Sequence, residues 1–442
     1  MPEFVRAIGL GRATAMVVGT IIGASIFVQP SAIARVVPST GGVLLVWIVA
    51  GGITLIGALI MAELSSAFPR TGGVYVFLRE AYSPAVAYLW GWAMFWSMHS
   101  GIIAAIATVF GIYLGYLLDL RALGIDARAC AVGSILVLSA VNYVGVKYGS
   151  GVQAFFTAIK LLAIVLIVAL GAIFVSRHGI GVAPVGVRAP LVPSAGAFVT
   201  ALIAGLFAYG GWHMVTYAAE ETKDPTRTIP RALLIGTLVV TVAYIAVNTA
   251  YLAVLPHEQV ASANGVAADF ADAVLGSGGR KLLSLLVVLS TLGGMTGIIL
   301  AGPRVYLAMA QDGLLFRWAG AVHPRYHTPH VAIVVQGIWS SVLVLTGTYR
   351  ALFTRVVYTE WIFFALLAAS LFFLRRRPGY APAYRLWGFP LLPAIFVLSS
   401  VAIVVHEIGT HPAESLTGLA LVAAGLPVYW LKTRWGAAAL GS

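Results

Sequence analysis

Charge is what this chain has least of. Asp, Glu, Lys and Arg make up 10% of its 442 residues, against roughly 25% in an ordinary soluble domain. Too few charged side chains remain to clothe a water-facing surface, so a soluble globular fold is excluded. Cysteine is nearly absent as well. Cys130 stands alone, which rules out an internal disulfide framework and gives no sign of a Cys-based metal site. The signatures of hydrolases and nucleotide enzymes are also missing: there is no HExxH, no GxSxG and no P-loop. The few carboxylates inside apolar stretches are not evidently paired. Neither an enzyme nor a cofactor is expected. Nothing at the N-terminus reads as a cleaved signal, because the stretch from Met1 to Arg12 is short and the first apolar run continues past Pro30. The first helix is expected to serve as the insertion signal.

Apolar residues, at 60% of the chain, fill the space that charge leaves. They recur in runs of about 20 residues, each able to cross the roughly 30 Å of a bilayer core as a helix. Runs near 13–36, 43–67, 84–118, 128–147, 151–176, 195–220, 231–255, 281–313, 331–348, 352–374, 389–407 and 416–433 predict an all-α integral membrane protein of twelve spans. The net charge of +12 does not point to nucleic acid, since its Lys and Arg lie in short loops between apolar runs rather than in an aromatic-laced patch. Topology explains them better. With the N-terminus inside, Arg70, Arg79, Lys223, Arg304, Arg375, Arg376 and Arg377 join an inner set that outnumbers the outer one, which includes Arg35, Arg121, Arg128 and Arg280. Basic loops favour the cytoplasmic side, so both termini are expected there, in a cytoplasmic or inner membrane. Two longer loops, 68–83 and 256–279, could each fold as a short interfacial helix.

Glycine and small polar residues interrupt two of the spans. In the first, Gly19-Thr20-Ile21-Ile22-Gly23-Ala24-Ser25-Ile26-Phe27 falls near mid-bilayer at 1.5 Å of rise per residue. The sixth repeats the feature at matching depth with Phe207-Ala208-Tyr209-Gly210-Gly211-Trp212-His213. Small residues alone can also serve close helix packing. Two interruptions at corresponding depth, in spans one and six, instead indicate an inverted-repeat transporter with its site at the repeat interface. The chain then divides into a first repeat over 1–176, a second over 195–374, and two added spans over 389–434. Bare amides at a half-helix N-terminus attract a carboxylate, and bare carbonyls at a C-terminus attract an ammonium. An α-amino acid carries both groups.

Ionisable residues inside spans are costly and mark function by default. Lys160 lies at the depth of both breaks and is expected to hold the unwound first helix where a cation might otherwise bind. Glu360, His99 and His213 also fall within spans, as relay, substrate or packing groups. Glu63, Glu220 and Glu221 lie near inner helix ends, where pairing with Arg70, Arg79, Lys223 or Arg227 is expected.

Jointly with Phe68-Pro69-Arg70-Thr71-Gly72-Gly73-Val74-Tyr75, Glu220-Glu221-Thr222-Lys223-Asp224-Pro225, Ile229-Pro230-Arg231-Ala232 and Gly302-Pro303-Arg304-Val305-Tyr306, these stretches make nearly the whole chain resemble the amino acid-polyamine-organocation superfamily. The likeness is greatest to its L-type amino acid transporter branch. The resemblance implies a five-plus-five inverted repeat with broken helices 1 and 6, and sodium-independent exchange of small or neutral L-amino acids by alternating access. A proton-coupled carrier or a polyamine or cationic amino acid antiporter of the same fold is the alternative. Substrate would be held by Thr20, Ile21, Gly23, Ala24, Ser25, Phe207, Ala208, Tyr209 and Gly210. Phe207 matches the aromatic residue that closes over substrate, Lys160 a lysine that replaces a sodium site, and Tyr244 a tyrosine near that lysine; Glu360 and His213 complete the gating and coupling candidates. The chain departs from the family in Gly23-Ala24-Ser25, where Gly-Ser-Gly or Gly-Ala-Gly is usual, and in His213, where L-type proteins usually have Asn. Because Cys130 falls in or near the fourth span, no disulfide-linked heavy chain is expected. The partners expected are an amino acid and the bilayer, with no nucleic acid and no metal.

Overall fold

A computed structural model gives the structure for residues 6, 8–144, 146–179, 194–326, 328–347 and 349–438; residues 1–5 of the expected first repeat lie outside these. Among the described residues every element is helical, apart from one isolated bridge between Ile8 and Thr222. Helices are what lipid demands, because each satisfies its own peptide groups. The chain opens with α1 (Leu10–Ile21), a 3-10 turn over Ala24–Phe27 and α2 (Gln29–Val36). Next come α3 (Thr40–Ala67), α4 (Val74–Ala81), and α5 (Pro84–Ala93), which runs through a π-helical turn at Met94–Met98 into α6 (His99–Leu118). The helices α7 (Ala127–Val144), α8 (Val146–His178) and α9 (Ala195–Ala208) lead to a 3-10 segment at Trp212–Glu221. Beyond it lie α10 (Pro225–Val254), α11 (His257–Ser262), α12 (Val266–Leu275), α13 (Ser277–Gln311) and α14 (His330–Thr346). The chain ends with α15 (Tyr349–Leu374), α16 (Leu391–Thr410), α17 (Pro412–Ala423) and α18 (Gly425–Ala438). Among the described residues, 9 helices are long and apolar enough to cross a membrane, and three shorter apolar ones are Leu10–Ile21, His330–Thr346 and Tyr358–Leu374.

Both faces of α8 are apolar, so burial rather than polarity separates them. Lys160, Ala163, Ile164 and Ile167 recur at helical spacing and are buried, while Leu161, Leu162 and Val165 are exposed. The exposed stripe suits lipid, and the buried one faces the bundle. At the centre α3 packs most extensively on α10. A small residue permits that approach: a Cβ on Gly51 would stand 2.6 Å from the Thr241 side chain of α10.

Both long loops are partly helical. The 68–83 loop forms α4, but its Val74, Tyr75, Val76, Phe77 and Leu78 are buried in protein rather than spread on an interface. The 256–279 loop forms α11 and α12. Arg280 ties α12 to α13 through Asp272 at 2.6 Å and Asp269 at 3.1 Å, and Arg35 of α2 donates to the Ala261 carbonyl at 2.7 Å.

The acidic residues choose partners other than those expected from sequence. Glu63 pairs with Arg375, through Nε at 2.9 Å and Nη2 at 2.5 Å, and also accepts from the Leu386 amide at 2.7 Å. Arg70 pairs instead with Glu80, Arg79 with Asp312, and Arg227 with Asp224. The reason is geometric: the chain after α15 folds back under α3, and a forked guanidinium matches a carboxylate with no route to water. Replacing Arg375 by Ala leaves that carboxylate buried and short of its charge partner. We expect a loss of about 3–5 kcal/mol, read as a lower melting temperature in detergent and partly regained by adding Glu63→Gln. An unchanged melting temperature would show that the pair carries no stability.

Candidate functional site

The two interruptions meet. The first helix stops at Ile21; Ile22 (φ −68°, ψ 91°) and Gly23 (φ −112°, ψ −164°) are extended before the 3-10 turn begins at Ala24. In the second, α9 ends at Ala208, and Gly211 takes φ +99° before the segment at Trp212. That angle is left-handed and suits glycine. A Cβ on Gly211 would also lie 2.8 Å from the Thr20 carbonyl oxygen, so glycine is required twice over. Thr20 returns the contact, its hydroxyl reaching the Gly211 carbonyl at 3.1 Å.

An unwound stretch frees carbonyls that a continuous helix would bond. Three side chains take some of them. Lys160, 1% exposed, donates from Nζ to the Gly19 carbonyl at 3.0 Å. Gly19 lets α8 come this close, since a Cβ there would meet the Thr157 hydroxyl at 2.7 Å. The Tyr244 hydroxyl lies 2.9 Å from the Ile21 carbonyl and 3.1 Å from that of Ala208, so one proton serves one break or the other. The two breaks are joined again at their far ends, where Ile8 donates to the Glu221 carbonyl at 3.0 Å and Lys223 donates to Ile8 at 2.9 Å.

Between the breaks is a cavity of about 30 Å³ lined by Thr20, Ile21, Gly23, Ser25, Phe207, Gly210, Gly211 and Glu360. Its remaining wall is apolar: Ile102, Ile106, Leu206, Met214, Ile298 and Trp361. Such a volume suits roughly one water. A second cavity of about 920 Å³ opens at the end carrying Arg35, Asp119, Arg121 and Asp126, and reaches inward to Val28, Thr200 and Ala204. Ala204 is one helical turn from Phe207, which therefore stands between vestibule and small cavity.

The opposite end is shut. Arg304 pairs with Glu221 at 3.3 Å, and Asp312 accepts from the Tyr75 hydroxyl at 2.6 Å while pairing with Arg79. Burial first, and then the Asp312 carboxylate, raise the Tyr75 phenol above its ordinary range, which keeps it a donor. Glu221 thus has a partner the sequence did not suggest, and among the described residues Glu220 makes no ion pair.

Not every candidate lines the small cavity. Ala24 and Ala208 are buried outside its wall, and so is Tyr209, whose ring packs on Trp47 and Tyr244 while its hydroxyl reaches the Trp47 carbonyl at 3.2 Å. Its place just after the end of α9 turns it toward α3, behind the break. Lys160 and Tyr244 also stand behind it, bonded to its carbonyls. His213 is fully buried among Trp90, Trp212, Tyr217 and Phe364. The apolar wall residues escaped the sequence reading because nothing in a uniformly apolar run says which face meets a cavity. Gly211 could have been singled out, since a Gly-Gly pair marks a turn.

The family model described as amino acid permease matches residues 8–423. The Large neutral amino acids transporter small subunit 2 of Homo sapiens is 30% identical over 97% of this chain and 81% of its own length. The Asc-type amino acid transporter 1 of Mus musculus is 28% identical over 97% and 82%. For the b(0,+)-type amino acid transporter 1 of Homo sapiens the figures are 29%, 96% and 88%.

The left-handed turn carries its own prediction. Gly211→Ala should cost about 1–3 kcal/mol of strain and remove most transport, whereas Gly210→Ala, whose Cβ would meet the Phe207 carbonyl at 3.1 Å, should be milder. Labelled amino acid uptake, beside melting temperature, checks this; equal activity of the two variants would show that the turn is dispensable.

Proposed function

The chain belongs to the amino acid permease family, and on that premise we propose that it exchanges small or neutral L-amino acids across a cytoplasmic membrane, without sodium, by alternating access. It is a multi-pass membrane transporter and not an enzyme. The observation that carries the finer reading is the meeting of two interrupted helices around one small cavity. Amides of Gly23, Ala24 and Ser25 receive the substrate carboxylate, as at other half-helix N-termini. Carbonyls near Thr20, Ile21 and Phe207 face its ammonium. Aliphatic walls such as Ile102, Ile106 and Ile298 suit a neutral side chain.

Twelve spans fit the helices, as 9 long candidates and 3 short apolar ones. The breaks follow first halves of 12 and 14 residues, α1 and α9, which supports two repeats of five spans with the site between them. Basic loops at the closed end favour placing it, and both termini, in the cytoplasm. Lys160 places its amino group at the Gly19 carbonyl, where a mobile cation would otherwise be useful; this is the ground for sodium independence. Phe207 gates the vestibule side. Exchange has a physical basis too: an empty site leaves peptide groups unpaired in a dry interior, so the loaded carrier reorients at lower cost. Function without a disulfide-linked heavy chain is part of the proposal. One of the relatives above is named a small subunit, but the one cysteine here, Cys130, lies within α7 and packs against the core.

Counterflow tests the reading: proteoliposomes loaded with unlabelled neutral amino acids should take up labelled ones at a rate unaffected by sodium. Indifference to every amino acid tried would reject it. Two variants probe the site. Lys160→Ala should lose most transport while still inserting, and near-normal flux would remove its role. Gly23→Val is tolerated by the backbone, because the angles are extended and a Cβ would meet only the Ile21 carbonyl at 3.8 Å, yet it fills the cavity. Saturable binding retained by that variant would place the carboxylate elsewhere.

A further inference from the structure

Between α15 and α16 the chain runs as a strap, residues 375–390, that holds four arginines and no acidic residue. One side of it is pinned to the bundle. Arg375 pairs with Glu63, and its guanidinium carbon lies 4.1 Å from the centre of the Phe389 ring. The Leu386 amide bonds the same carboxylate at 2.7 Å, and the Tyr384 amide reaches the Ser66 hydroxyl at 3.0 Å. Arg377 donates to the Glu80 and Ala81 carbonyls at 2.7 and 2.9 Å, which ties the strap to the C-terminal end of α4. Two of the four arginines are thereby occupied.

The other two face outward. Arg376 and Arg385 are exposed, and among the described residues neither forms an ion pair. Trp387 follows two residues after Arg385 and is 70% exposed. Just beyond it begins the exposed face of α16, where Leu391, Ile395, Leu398 and Val405 recur at helical spacing. In a membrane-spanning helix such a stripe meets lipid tails. The strap therefore lies at the boundary of tails and headgroups, the level at which an exposed tryptophan is favoured. A guanidinium fork matches the oxygens of a phosphate. Because the strap is already pinned, its arginines meet a ligand without a loop having to be ordered first.

We propose that Arg376 and Arg385, with Trp387, dock the phosphate of an anionic phospholipid, and that the bound lipid braces the closed end of the carrier. Free phosphate would satisfy the arginines alone, whereas a lipid also covers the tryptophan and the stripe that leads away from it. The link to the closed end is short. The helix α4, which Arg377 holds at its C-terminal end, carries Tyr75 and Arg79, the two partners of Asp312. The inference needs only the membrane-spanning fold and does not depend on which solute occupies the cavity.

The test uses the whole protein in detergent, titrated with phosphatidylglycerol or phosphatidylcholine, with bound lipid read by native mass spectrometry and stability by melting temperature. Phosphatidylglycerol should bind about tenfold more tightly and raise the melting temperature, while phosphatidylcholine should not. Arg376→Gln combined with Arg385→Gln should erase both differences, and Arg385→Gln alone should remove part of each. Lys223→Gln combined with Arg231→Gln takes the same charge from exposed positions elsewhere at that end and should preserve both. Equal affinity for the two lipids overturns the site. Loss in both double variants shows diffuse attraction and overturns it too, and retention in the strap variant overturns the assignment to the strap. Tight binding without a rise in melting temperature overturns the brace, and a rise of equal size with inorganic phosphate overturns the lipid.

Discussion

Everything in this molecule turns on peptide groups left unpaired in the middle of a membrane protein. A continuous helix would bond them and bind nothing. Two interruptions expose them, and an unpaired buried carbonyl or amide is expensive, so the protein must hold each one either by a side chain or by a ligand. Lys160 takes the Gly19 carbonyl, Tyr244 stands between those of Ile21 and Ala208, and the Thr20 hydroxyl reaches Gly211. These bonds fix the shape of the breaks without filling the cavity between them. The same constraint explains why glycine sits at 19 and 211, where another helix or the other break passes too close for a side chain.

The surrounding bundle serves this arrangement. The breaks are joined at the cavity by Thr20 and Gly211, and at their far ends by the bridge between Ile8 and Thr222. A movement of one is therefore felt by the other. At the vestibule end Phe207 stands one turn below Ala204, and at the closed end the ion pair of Arg304 with Glu221 and the bonds of Asp312 with Tyr75 and Arg79 seal the way. Opening one end while sealing the other requires breaking a small number of polar contacts, which suits a carrier better than a pore.

Much of this was legible in the residues alone. The spans follow from apolar runs; even the first helix, whose pieces Leu10–Ile21 and Gln29–Val36 are each short, was visible as one interrupted run. Lys160 announced itself because a lone lysine in lipid is rare. Side-chain direction was harder to read. Tyr209 belongs to the second break by sequence and faces away from the cavity in space, because three residues of one helical turn cannot all point inward. The partner of Glu63 lay beyond reach, since Arg375 is brought to it by a loop that folds back beneath α3. The apolar cavity wall gave no signal, because in a chain this hydrophobic a lining isoleucine and a lipid-facing one look alike.

The central claim is that both charged ends of an amino acid are held by these peptide groups. It is tested most directly by comparing the binding of a transported amino acid with that of its methyl ester and its N-acetyl form. Each modification removes a charge-assisted contact of about 1.5–3 kcal/mol, and the account predicts that either one weakens binding by at least about tenfold. Equal affinity for the parent and for either blocked form would contradict it.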